Sequence, residues 1–171
     1  MLTKNFYVVL ANSFFAPKVS TVFKDINGST TTSTPAAHSS KLPFSYMHKW
    51  KATTNSDYGV VFSTDTTPPS VDDYKIVSTL GTNSLSVNTP SEITIVNTDT
   101  NIRYSATFTV HNITAESLTI TKLGYIGYSY GTTWIPFLAD VCLLNTPVTI
   151  APDGVANITY EICINYPTAT T

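Results

Sequence analysis

The stretch Asn101–Asn112, NIRYSATFTVHN, alternates apolar and polar side chains along its whole length. One set of alternate positions carries Ile102, Tyr104, Ala106, Phe108 and Val110. The other set carries Arg103, Ser105, Thr107, Thr109 and His111. Because successive side chains of an extended strand point to opposite faces, this pattern predicts an antiparallel strand with one buried face.

The segments after this strand continue the same pattern. Residues 118–130 predict a returning strand whose register slips at Lys122–Leu123. The apolar run 134–144 contains Pro136, which disfavours a central position in a sheet. The sequence Ala151–Gly154, APDG, has the proline and glycine of a β-turn. The strand predicted after this turn has an apolar face made of Ile158, Tyr160, Ile162 and Ile164.

The composition agrees with a chain made of strands. Only 12% of the 171 residues are charged, and a chain of this length can bury a full hydrophobic core. We therefore predict an all-β fold, an antiparallel β-sandwich of jelly-roll or Greek-key type with an extended N-terminal arm. Residues 51–171 would form the sandwich, and residues 1–50 would form N-terminal strands and an arm engaged in subunit contacts, within one domain overall.

The first 50 residues have a more mixed pattern. Residues 5–10 and 18–23 predict two short strands, and Asn27–Gly28 predicts a tight turn. Residues 29–40 are small and polar, which predicts a loop or an extended arm. The segment Lys41–Trp50 is rich in aromatic side chains, and we expect these to dock on a surface of the same chain or of a neighbour.

Charge and hydropathy limit the classes of partner. The formal net charge of -2 gives no basic patch for a phosphate backbone, so we expect no nucleic acid partner. No stretch approaches the roughly 18 consecutive apolar residues of a transmembrane helix, so we expect no membrane partner either.

Cysteine and histidine are few. The chain has two cysteines, Cys142 and Cys163, and three histidines, His38, His48 and His111. Their spacing does not match a structural zinc site. We expect free thiols, with a disulfide between Cys142 and Cys163 left as the alternative, and we predict no metal and no cofactor.

No motif of a known catalytic centre stands out, so we predict that the protein is not an enzyme. Asp72–Asp73 lacks the alternating acidic series of a calcium loop. The aromatic side chains offer another kind of site, because rings can form subunit contacts or stack on sugars. The candidates for such an interface or ligand surface are Trp50, Trp134, Tyr128 and Tyr130.

The stretch Gly59–Ile76, GVVFSTDTTPPSVDDYKI, joins an apolar strand to a turn with three acids, Asp65, Asp72 and Asp73. Ser70 and Asp73 have the spacing of a capping box at the start of one short helical turn, with Pro68 and Pro69 fixing the entry and Tyr74 returning to the core. We therefore predict a structural corner at this stretch, with no chemical site.

The segments Gly59–Ile76, His111–Tyr128 and Thr146–Ile162 resemble, in order, recurrent motifs of bacteriophage virion structural proteins. Three parts of the chain depart from the pattern of that family. Ser63 and Asp65 stand where the family has glycines in the strand before the turn. Lys122 stands where the family has a glutamate, and the Asp140–Val141 region stands where it has an arginine, so an ion pair between those two family residues would be missing.

This resemblance implies a non-enzymatic structural component of a tailed-phage virion, in the tail, the neck or collar, the baseplate or on the capsid surface. Such a β-sandwich protein would form symmetric homo-oligomers and contact other virion proteins, after synthesis in the host cytoplasm. The alternative is a carbohydrate-binding or host-adhesion module that binds a glycan through surface tryptophan and tyrosine side chains.

Overall fold

A computed structural model describes residues 1–15, 21–33, 59–88, 90, 92–130 and 134–166. These residues form one helix and nine strands. In chain order they are α1 (Lys4–Phe15), β1 (Thr21–Lys24), β2 (Thr30–Ser33), β3 (Gly59–Ser63), β4 (Leu85–Asn88), β5 (Thr94–Asn97), β6 (Asn101–Asn112), β7 (Leu118–Tyr130), β8 (Trp134–Ile150) and β9 (Val155–Asn165).

The strands form two packed sheets and a separate hairpin. The first sheet has the order β3-β7-β8, and all its pairs are antiparallel. In the second sheet β9 pairs with β6 along nearly its full length, while β4 and β5 pair with the two ends of the opposite edge of β6. The hairpin consists of β1 and β2. This architecture confirms the predicted antiparallel β-sandwich.

The apolar face of β6 lies in the core between the two sheets, as its alternation predicts. Phe108 and Val110 are fully buried, and Ala106 is nearly so. The ring of Phe108 meets the ring of Phe62 from β3 edge to face, with centroids 5.9 Å apart. Because these rings come from opposite sheets, their contact helps to hold the two layers together.

The β7–β8 pair contains two irregularities. The register shifts between Ile120 and Lys122, and again between Tyr125 and Ile126, so the predicted slip at Lys122–Leu123 is confirmed to within a residue. Pro136 lies on β8, the terminal strand in the order of its sheet, where a missing backbone donor does least harm.

The predicted turn between β8 and β9 is confirmed. The backbone N–H of Gly154 donates to the carbonyl of Ala151 at 2.9 Å, and Asp153 has a positive φ of 56°. The predicted face of β9 is also confirmed in its central part, where Ile158, Tyr160 and Ile162 are buried. Cys163 lies on the exposed face, and both cysteines are free thiols.

The prediction of a strand at residues 5–10 is wrong, because these residues belong to α1. The hydroxyl of Thr3 accepts a hydrogen bond from the N–H of Phe6, as a helix N-cap does. Phe6 and Val9, one turn apart, are buried in the core shared with the sandwich. Burial of this stripe outweighs the strand preference of the β-branched residues. No helix in the described ranges is long and apolar enough to cross a membrane.

The other N-terminal predictions need a partial correction. The strand expected at 18–23 is observed at Thr21–Lys24, and the loop expected from residue 29 begins instead with β2. The turn at Asn27–Gly28 is present, with a φ of 82° at Gly28. The remainder of the predicted arm, including the aromatic segment 41–50, lies outside the described residues.

Candidate functional site

The corner that follows β3 uses the carboxylate of Asp65 for structure. Its Oδ1 accepts hydrogen bonds from the N–H and the hydroxyl of Thr67, at 3.0 and 2.7 Å. Its backbone N–H donates to the hydroxyl of Ser63, and its carbonyl accepts from the hydroxyl of Thr121 at 2.8 Å. Asp65 therefore shapes the chain between β3 and the next turn.

The remaining oxygen of Asp65 forms an ion pair with Lys122 of β7, and the two side chains are only 12% and 4% exposed. The hydrogen bond from Lys122 lowers the pKa of Asp65 to about 2, although burial acts in the opposite direction. Sequence reasoning missed this pair. The available signal was Lys122 itself, because a lysine inside an apolar strand needs a carboxylate partner when it is buried.

The next turn contains the predicted cap. The N–H of Ser70 donates to Asp73 Oδ2 at 2.8 Å, and the N–H of Asp72 donates to the hydroxyl of Ser70 at 3.3 Å. The short helix expected after Pro68 and Pro69 is instead a hydrogen-bonded turn, closed by the N–H of Asp73 donating to the carbonyl of Ser70. The chain after this turn continues without a helix.

Tyr74 links this turn to the β1–β2 hairpin. Gly28 packs against the ring of Tyr74, where an added methyl group would stand 2.9 Å from a ring carbon, and its φ of 82° would strain any other residue. The ammonium group of Lys24 lies 5.3 Å from the centre of the same ring, within the range of a cation–π contact. The predicted return of Tyr74 to the core is therefore only partial, while Ile76 is fully buried.

The buried acid Asp140, on β8, was not predicted. Its Oδ2 accepts a hydrogen bond from the hydroxyl of Tyr160 on β9, and its Oδ1 lies 2.9 Å from the α-amino group of Met1. Burial, and then the charge of Asp140, raise the pKa of Tyr160 well above its usual value. Burial likewise raises the pKa of the Cys142 thiol to about 11, which keeps it protonated and unreactive.

The end of the sandwich near the β8–β9 turn is organised by Asn112. Its side chain is fully buried, and its amide donates to the carbonyls of Glu116, Ile150 and Ala151 at 2.8 to 3.1 Å. The signal in the sequence was its position, since Asn112 continues the apolar face of β6 and so had to be buried with its hydrogen bonds made.

The exposed face of β6 carries His111 beside this turn. Its Nε2 lies 2.8 Å from Asp153 Oδ1, and the two side chains are 38% and 94% exposed. The contact could not be predicted from the sequence, because 42 residues separate His111 from Asp153. The pair lies at the surface, where it links β6 to the turn.

A groove of about 360 Å³ lies between the start of α1, the β1–β2 hairpin and the turn at Val71–Asp72. We call it the α1–β1 groove. Its apolar lining comes from Val8, Val22, Phe23 and Val71, and Lys4, Lys24 and Asp72 line it with charge. The groove combines apolar surface with an excess of positive charge, and sequence reasoning did not find it.

The predicted aromatic candidates do not form a described site. Trp50 lies outside the described residues, and Trp134 and Tyr130 lie in strands whose side chains at those positions are not described. Tyr128 is half-buried and pairs across strands with Pro136. In the described part of the chain, no cluster of three or more potential metal ligands occurs.

Comparison with known proteins gives no relative: no family model matches the chain, and no match occurs among curated proteins or among solved structures. The geometry of the described surface and the motifs of the sequence are therefore the basis for a functional proposal.

Proposed function

We propose that the protein is a structural subunit of a tailed-phage virion, which assembles through contacts between its own copies and with other virion proteins. The order of the three sequence motifs that resemble virion structural proteins supports this proposal. The observation that carries it is the exposed edge strand β5, which has the properties of an assembly surface.

Strand β5 is exposed on both of its faces. Ile95 pairs with Tyr104 on the apolar face of β6, yet its side chain is 60% exposed, and Val96 on the opposite face is 46% exposed. Within the described ranges β5 pairs with β6 alone. Its four residues include no charge or proline, two of the devices that protect a free edge against pairing. Strand pairing with a second copy would satisfy the outer backbone groups and cover both apolar side chains.

The acids of the motif corner support a structural role as well. Asp65 is bound to Lys122 and Thr67, and Asp73 caps the turn at Ser70. A carboxylate committed to such contacts holds a corner in one conformation, which favours a subunit that must present the same surface in every copy.

Self-association of the purified protein tests the proposal. We expect the wild-type chain to form oligomers in sedimentation velocity as its concentration rises, and Val96→Lys to weaken them. Val77→Lys is the matched control, because Val77 has the same 46% exposure as Val96 and lies outside β5. A monomer at every concentration, or equal effects of the two variants, would count against β5 as the assembly surface.

Mass spectrometry of purified particles tests the location. From cells that produce phage encoding this chain, we expect the protein to co-purify with particles at a constant ratio to the major capsid protein. Its absence from such particles would overturn the proposed function even if the isolated protein forms oligomers.

A further inference from the structure

We propose that the α1–β1 groove of one copy binds the β8–β9 turn of a second copy, an inference that rests on the proposed self-assembling function. The groove and the turn carry opposite charge beside exposed apolar side chains. They also lie on different parts of the surface, so that each copy can both bind and be bound.

The groove is suited to an acidic segment with an apolar neighbour. Val22 and Val71 are 56% and 50% exposed there, which leaves apolar surface that a partner can cover. The ammonium group of Lys4 lies 4.0 Å from Asp72, and both side chains are about three-quarters exposed, so this pair is weak. In the described part of the chain, Lys24 has a ring contact but no carboxylate within ion-pair distance.

The β8–β9 turn has the complementary chemistry. Asp153 is 94% exposed, and Val155, two residues later, is 61% exposed. Ile113 follows Asn112 in the chain and adds an apolar side chain that is 46% exposed. An exposed acid with an exposed aliphatic side chain two residues away matches a groove with two lysines beside two exposed valines, both in charge and in apolar character.

The turn is also held in one shape before any partner arrives. The side-chain amide of Asn112 binds the carbonyls of Ile150 and Ala151, and its backbone N–H donates to the carbonyl of Gly154 at 2.9 Å. A rigid projecting turn loses little conformational entropy on binding. Within the described ranges, His111 contacts Oδ1 of Asp153 alone, which leaves the second carboxylate oxygen for a lysine.

The two surfaces belong to different regions of β8. The groove is lined by residues of α1. Thr3, the residue before α1, donates through its hydroxyl to the carbonyl of Leu138 in the first half of β8. The β8–β9 turn instead follows Ile150, the last residue of β8. A contact between two different surfaces is heterologous. Repetition of such a contact from copy to copy closes into a ring or continues as a filament, which are the forms expected of a tail or neck component.

Charge exchange between the two surfaces tests this contact. Sedimentation velocity would compare the wild-type chain, Lys24→Glu, Asp153→Lys and the double variant. Each single reversal should weaken self-association at least about tenfold, since it places like charges together, and the double variant should recover to within about threefold of wild type. Asp153→Asn, which tolerates the positive φ at this position, should weaken association without straining the turn.

Two controls separate the contact from general effects of charge. Glu161→Lys makes the same charge change as Asp153→Lys but on the exposed face of β9, and His111→Gln removes the partner of Asp153. We expect both controls to associate and to unfold thermally as wild type does. Equal weakening by the controls, or a double variant no better than the singles, would overturn the contact.

The result also distinguishes this inference from the proposed function. If Val96→Lys weakens assembly and the protein is found in virions, while the charge reversals change nothing, only the groove contact is wrong. If the wild-type chain stays monomeric and is missing from virions, both proposals are wrong.

Discussion

Asp65, which is largely buried, and Asp140, which is buried, make different contacts in the same sandwich. Asp65 follows β3 and pairs with Lys122 on the adjacent strand of the same sheet. Asp140 lies on β8 and binds the hydroxyl of Tyr160 on β9, a strand of the opposite sheet. The first acid therefore stabilises a corner within one layer through the charge of a lysine, whereas the second connects two layers through a neutral donor and also pairs with the α-amino group of Met1. The difference predicts separate responses to mutation and to pH.

The largest effect should come from breaking the charged pair on one side. Lys122→Met would keep the apolar length of the side chain but leave Asp65 without its cation, and we expect a loss of about 3 kcal/mol in the free energy of unfolding. Urea denaturation at neutral pH measures this value. The double variant Lys122→Met/Asp65→Asn should recover most of the loss, because it leaves no charge unpaired and keeps an oxygen that accepts from Thr67. A single variant as stable as wild type would show that the pair contributes nothing.

Removal of the neutral donor should have a smaller effect. Tyr160→Phe deletes the hydroxyl that binds Asp140, while the α-amino group of Met1 stays within 2.9 Å of the same carboxylate. We expect a loss of about 2 kcal/mol, as for a hydrogen bond to a charged group. Tyr166→Phe is the control, because the Tyr166 hydroxyl binds Asn97 at the exposed surface and its loss should cost much less. Equal losses in the two variants would contradict a special role for the bond between the sheets.

Acid titration separates Asp65 from the other carboxylates. Its pKa in the folded protein is about 2, against 3.8 as the ordinary value, first because Lys122 donates to it. A lowered folded-state pKa gives stability that is fully present above the unfolded value and is lost as pH falls through the folded value. The loss contributed by Asp65 should therefore fall between about pH 4 and about pH 2. Asp65→Asn should show a shallower fall in unfolding free energy across that window than wild type, and an unchanged slope would contradict the lowered pKa.

Local patterns predicted the second half of the chain because propensity and packing agree there. The alternation of β6 marked its buried face, and the APDG turn fixed the hairpin that follows β8. The apolar run in α1 fits a strand as well as a helix, and the core contacts of Phe6 and Val9 decide between them.

The contacts that shape the candidate sites are long-range, and this is why the sequence did not reveal them. Asp65 and Lys122 are 57 residues apart, and the α1–β1 groove exists only because α1 packs beside the β1–β2 hairpin. Two residues did indicate buried polar contacts, because Lys122 and Asn112 are polar side chains in otherwise apolar stretches. A polar residue at a position that the alternation predicts to be buried needs a hydrogen-bond or ion-pair partner, but only the fold identifies that partner.

The smallest effect should come from Asp73, an acid of the same corner as Asp65 whose carboxylate makes one hydrogen bond to the backbone of Ser70. Asp73→Ala would leave that N–H to water, and we expect a loss of about 1 kcal/mol in unfolding free energy, typical of a lost cap. The neighbouring Asp72→Ala is the matched control. Among the described residues the Asp72 carboxylate has only the exposed 4.0 Å pair with Lys4, and its removal should change stability by less than about 0.5 kcal/mol. If the two variants were equally stable, the turn would be held by its backbone and prolines alone, and among the three acids of this corner only Asp65 would contribute to stability.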